Sequence, residues 1–160
     1  MFVIADTGPL NYLILIGQAQ LLPQLYKRVL LPQEVLLELR AKGSPPLVGA
    51  WALQPPPWIE VMPPRDHMDQ TFRDLDAGER AVLRLAQEVG PPVLLLIDDM
   101  AARIEAERLQ IGVIGTLGIL REGAAAGRID LEQCFVDLRR TNFHAPLSLM
   151  NRLLAEQDSI

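Results

Sequence analysis

Val93-Leu94-Leu95-Leu96-Ile97-Asp98-Asp99-Met100-Ala101-Ala102-Arg103 passes from an unbroken apolar run through two acids into a mixed segment. Five apolar residues are too few for a buried helix, and bounded by turn signals they read as a strand covered on both faces. Gly90-Pro91-Pro92, just upstream, stops any preceding helix. The two acids therefore stand where a strand hands over to a helix, and strand, loop, helix is the repeating unit of a parallel sheet with crossover helices.

The same unit recurs outward from this stretch. Strands are expected over 2–5, 29–31, 93–97 and 111–114, followed by helices over roughly 9–16, 32–42, 100–109 and 117–126, with another helix over 77–89 leading into the third strand. The fold class is α/β with a parallel sheet. Most of the prolines fall between 43 and 64, which reads as a largely irregular excursion. Within it Trp58-Ile59-Glu60-Val61-Met62 suits one short edge strand, where flanking prolines are tolerated. Two C-terminal helices are expected within about 131–157. With 160 residues, 49% of them hydrophobic, the chain has the size of one domain with a well-filled core.

A formal charge of -5 excludes a sequence-wide basic field of the kind that coats nucleic acid through phosphates alone. The same acidic surplus suits a site that concentrates carboxylates around divalent cations. Cys134 is the only cysteine, so neither an intramolecular disulfide nor a multi-cysteine zinc site is available. The opening Met1-Phe2-Val3-Ile4-Ala5-Asp6 lacks the basic and apolar regions of a signal peptide, and no stretch reaches the ~18 apolar residues of a membrane span. The expected location is a reducing cytoplasm, away from membranes.

In an open parallel sheet, ligands collect beyond the carboxyl ends of the strands. Asp6 and the pair Asp98-Asp99 occupy that position. Ionised carboxylates held close together repel one another, and a hard divalent cation with oxygen ligands relieves the repulsion. Each acid also has a structural reading. Asp6 could cap the following turn, Asp98 could cap the next helix, and Asp99 could pair with Arg103. Asp76-Ala77-Gly78-Glu79 has capping-box spacing, and Glu38 could pair with Lys42 on a helix surface.

The motifs together carry a resemblance. Asp6-Thr7-Gly8-Pro9-Leu10, Leu31-Pro32-Gln33-Glu34-Val35-Leu36-Leu37-Glu38-Leu39, Leu75-Asp76-Ala77-Gly78-Glu79-Arg80-Ala81, Leu96-Ile97-Asp98-Asp99-Met100-Ala101-Ala102-Arg103 and Val113-Ile114-Gly115-Thr116-Leu117-Gly118-Ile119-Leu120 follow in the order seen in PIN domains. The chain resembles in particular the prokaryotic PIN-like proteins related to toxin ribonucleases of toxin-antitoxin pairs. The resemblance implies a three-layer α/β/α fold with a parallel sheet of about four or five strands. It also implies catalytic, metal-holding roles for Asp6, Glu38, Glu79 and Asp98 or Asp99. A hydroxyl residue commonly precedes the last acid by two positions in that family, which favours Asp99, but Ile97 stands there in this chain. Thr7 is placed to support the first acid.

The activity implied is hydrolysis of single-stranded RNA with Mg2+ or Mn2+ and an activated water as nucleophile. A homodimer and a small antitoxin protein whose tail covers the acidic pocket are the implied partners. The alternative is a PIN-like binding or regulatory module that no longer cuts. A phosphotransfer domain fits less well, because Gly8 stands where a phosphohydrolase has its second aspartate. His67 and His144 lack partners at metal-ligand spacing, and no serine has a nucleophile-elbow context. Trp51, Trp58 and Phe72 are expected to cover a core edge or an oligomer contact rather than to stack on bases.

Overall fold

A computed structural model describes residues 1–64 and 71–158. Within these residues five short strands form one sheet: β1 (Phe2–Ala5), β2 (Val29–Pro32), β3 (Ile59–Met62), β4 (Val93–Leu96) and β5 (Gly112–Ile114). All neighbouring pairs are parallel, in the order β3-β2-β1-β4-β5. The helices are α1 (Thr7–Leu15), α2 (Leu21–Tyr26), α3 (Gln33–Arg40), α4 (Pro46–Leu53), α5 (Ala77–Val89), α6 (Met100–Arg108), α7 (Thr116–Ala125), α8 (Leu131–Arg139) and α9 (Leu147–Asp158). The result is the α/β architecture that the alternating pattern predicts, a parallel sheet flanked by helices.

The chain leaves β1 toward β2 and β3, then α5 carries it back across β1 to β4. The strand order therefore reverses between β1 and β4, and a crevice opens there at the carboxyl ends of the strands. Register makes the placement specific. Ala5 pairs with Leu96, and Leu96 pairs with Ile114. One residue further on, Asp6 N donates to Leu96 O and Ile97 N to Ile114 O, both at 3.0 Å. Asp6, Asp98 and the start of α7 consequently meet at one end of the sheet.

The core runs along the sheet and the helices beside it. Ile4, Leu31, Leu95, Leu96 and Ile97 are fully buried, and so are Leu10 and Leu13 of α1, Leu83 of α5, Leu120 of α7 and Phe135 of α8. Each such side chain contributes roughly 1.5–3 kcal/mol by leaving water. α5 lies against β1, β2 and β4, whereas α7 packs on α1 and α2. No helix of the described residues is long and apolar enough to cross a membrane.

Three elements depart from expectation. The proline-rich segment is not largely irregular, since it holds α4 as well as the anticipated edge strand β3. Pro46 occupies the first helical position, where its missing N–H costs nothing, and Val48 and Ala52 bury one side of the helix. Arg40 Nε donates to Ala52 O at 2.9 Å and so ties down the far end. α1 begins at Thr7 rather than at Pro9, because a proline in the first turn lacks only an N–H that has no intrahelical partner. α2 was unanticipated: its six residues are too few to show a period, and burial of Leu21 and Leu22 holds it.

Candidate active site

Asp6 follows β1 and is the N-cap residue of α1 by backbone position, yet its side chain makes no capping hydrogen bond. The residue is only 6% exposed. Burial raises its pKa to about 7, the Thr7 backbone N–H offsets part of the rise, and the charges of Asp76, Glu38 and Asp99 add to it. The alternative reading of Asp6 as a simple cap therefore does not describe its side chain.

Glu38 comes from the last turn of α3. Thr7 Oγ1 donates to Glu38 Oε2 at 2.6 Å, and Gly78 N–H donates to Oε1 at 3.0 Å. A Cβ at position 78 would stand 2.6 Å from Oε1, so a larger residue there would push the Glu38 carboxylate off these hydrogen bonds. Glu38 thus joins α1, α3 and α5 instead of pairing with Lys42 on the surface. Thr7 serves the second acid of the sequence rather than the first.

Asp76 caps α5, accepting from Glu79 N at 2.8 Å, which is the capping-box geometry the spacing announces. Glu79 has a second character. Burial, a side-chain hydrogen bond with Asp76 and the charges of Asp76, Asp99 and Asp6 together raise its carboxyl to about 8. Asp6, Glu38, Glu79 and Asp99 therefore share one electrostatic neighbourhood, and Asp76 is a fifth member that sequence reading took for a cap alone. Its only sequence signal is its position beside Glu79.

The adjacent acids at the end of β4 separate. Asp99, not Asp98, is the N-cap of α6, accepting from Ala102 N at 3.0 Å with Oδ2. Asp98 turns toward α7: Thr116 N donates to Oδ1 at 2.7 Å and Thr116 Oγ1 to Oδ2 at 2.6 Å. Thr116 is a fully buried polar residue that sequence reading did not single out. Ile97 belongs to the core, and the hydroxyl contact to this pair of acids comes from β5–α7 instead.

Other candidates fall outside the cluster. The Trp51 and Trp58 rings lie 6.1 Å apart and pack, with Phe72, against the core. Arg80 Nη1 donates to Leu75 O, and Arg108 pairs with Glu105. His144 is exposed, and His67 lies outside the described residues. Cys134 is buried in α8 with its thiol pushed up to about 11, chiefly by burial, which leaves it protonated and unreactive at neutral pH.

The donor set is entirely carboxylate and hydroxyl oxygen, the chemistry of a hard divalent cation, and the carboxyls of Asp6 and Glu79 are raised first by burial and then by the neighbouring acids, both of which such a cation offsets. Among the described residues no three His, Cys, Asp or Glu side chains gather tightly enough to wrap one ion. The acids are spaced too widely to enclose a bare ion, which is compatible with a cation that keeps several waters, as Mg2+ does.

Among known families, the model described as PIN domain matches residues 2–159. Among curated proteins, no significant match is found. PIN domains are generally nucleases and typically use divalent metal ions. With that match spanning nearly the whole chain, over a parallel sheet whose central strands end in clustered acids, the chain belongs to the PIN-domain family.

Proposed function

We propose that this chain is a divalent-cation-dependent endoribonuclease that hydrolyses phosphodiester bonds of single-stranded RNA. The observation that carries the reading is the burial of Asp6 among Asp76, Glu38 and Asp99 at the β1–β4 crevice, with Glu79 beside them. Ionising these acids together is unfavourable unless a cation joins them. In this reading Asp6, Glu38, Glu79 and a member of the Asp98-Asp99 pair hold Mg2+ or Mn2+. The bound ion would supply Lewis-acid stabilisation of the phosphoryl oxygens and a more acidic water.

The chain's own groups orient the acids. Thr7 and Gly78 fix Glu38, the α6 amide of Ala102 fixes Asp99, and Thr116 fixes Asp98. The resemblance to toxin ribonucleases extends the reading to a cytoplasmic homodimer neutralised by a small antitoxin protein. For the homodimer, exposed Leu47 and Leu53 on α4 provide apolar surface.

The test is calorimetric titration with Mn2+ followed by incubation with a fluorescently labelled single-stranded RNA, with and without EDTA. Metal binding and EDTA-sensitive internal cleavage are expected. A chain that binds RNA but neither binds Mn2+ nor cuts would instead be a PIN-like binding module.

A further inference from the structure

Asp98 is bonded to the start of α7 and lies against α1. Both of its oxygens accept from Thr116, through the backbone N–H at 2.7 Å and the hydroxyl at 2.6 Å. α7 starts at Thr116 after the N-cap Gly115, and the Thr116 amide is one of the first helical N–H groups that have no intrahelical acceptor. Asp98 supplies that acceptor from the neighbouring strand, where the positive end of the α7 dipole also favours its charge. A Cβ on Gly115 would lie 2.7 Å from Asp98 Oδ1 and 2.9 Å from Arg103 Nη1. The φ of Gly115 is -97°, which any residue adopts, so it is the close approach of Asp98 and Arg103, and not the backbone, that favours glycine there. On the other side, a Cβ on Gly8 of α1 would stand 3.1 Å from Oδ2.

The β4–α6 turn is therefore anchored to α7 and abuts α1, the helix that begins just after Asp6. Asp99 follows immediately, its Oδ2 on Ala102 N, and its charge reaches both Asp6 and Glu79. The charge of Asp98 is felt instead by Tyr12, on the next turn of α1 from Gly8.

We propose that Asp98 is a positioning residue and not a cation ligand: with Thr116 and Gly115 it forms a latch that holds the β4–α6 turn so that Asp99 presents its carboxylate to the site. This rests on the metal-dependent reading above and assigns the two adjacent acids different work.

A latch needs acceptor and shape, whereas a ligand needs charge, so the amide variants separate the two. Asn at position 98 keeps an oxygen for Thr116 N, and the Thr116 hydroxyl can rotate to accept from its NH2. We expect Asp98→Asn and Thr116→Ser to bind Mn2+ within about threefold of wild type, while Asp98→Ala and Thr116→Val weaken it by roughly tenfold or more. Asp99→Asn should lose binding as severely as Asp99→Ala. Calorimetry with Mn2+ alone, with thermal melting of each variant, reads this out.

Asp98→Asn binding as poorly as Asp99→Asn while melting like wild type would make Asp98 a ligand and overturn the proposal. Failure of Asp98→Asn to fold would overturn it too, since an amide would then not serve as the latch. Absence of Mn2+ binding by wild type would remove the metal reading itself, and the proposal with it.

Discussion

Glu38 and Asp98 both lie against the start of α1, at Thr7 and Gly8, and are held by the same kind of clamp. Each accepts from a threonine hydroxyl on one oxygen at 2.6 Å and from a backbone N–H on the other, and each has a glycine pressed against it. What differs is where the remaining charge is felt. Glu38 acts on Asp6 inside the acidic cluster, whereas Asp98 acts on Tyr12 outside it. Two carboxylates with matching hydrogen bonds can therefore have different duties, and the electrostatic company of each distinguishes them more sharply than its own bonding does.

The sharpest way to break the comparison is to neutralise each clamped acid without changing its shape. Glu38→Gln is expected to weaken Mn2+ binding by roughly ten- to hundredfold, while Asp98→Asn stays close to wild type. Equal losses in calorimetry would show that the clamp, and not the field around it, decides the role.

A second effect should come from pH. Asp6 and Glu79 titrate near 7 and 8, above their ordinary values of 3.8 and 4.5. Protons on them compete with a cation, so Mn2+ affinity should rise between pH 6 and 8, by up to about tenfold per unit for each proton displaced. Without metal the sign for stability is opposite. Both folded-state values exceed the unfolded ones, so the stability these groups contribute is complete below pH ~4 and is lost as pH rises through 7 and 8. The melting temperature in EDTA should fall over that range and recover with Mn2+. A melting temperature that is flat in EDTA would mean that these acids ionise normally.

The smallest effect sharpens the Glu38 corner. Gly78→Ala places a Cβ 2.6 Å from Glu38 Oε1 and should destabilise the fold by about 1–3 kcal/mol, despite the better helix propensity of alanine. Thermal melting of the variant checks this. A melt at or above that of wild type would show that Glu38 swings away freely and that its clamp is weak.

Much of this arrangement was legible in the residues. The apolar run ending at Ile97, the cap at Asp76 and the glycine stop after Val89 lie where local pattern puts them, because strand burial and helix ends are set by neighbours within a few positions. α4 was obscured because its prolines read as breakers until Pro46 is seen at the first helical position. The roles of the adjacent acids were obscured for a different reason. Asp99 and Asp98 differ by one residue in sequence, but one caps its own helix and the other reaches Thr116, eighteen positions away.

The sequence by itself determined the alternation of strand and helix, and the residues that carry acids just beyond the strand ends, since both follow from short-range period and punctuation. Only the tertiary structure decided which acids face one another. That depends on the register of β1, β4 and β5 and on the approach of α1, α5 and α7, where absent Cβ atoms at Gly8, Gly78 and Gly115 leave room for carboxylates. Contacts of this kind join residues far apart in the chain, and no local propensity encodes them.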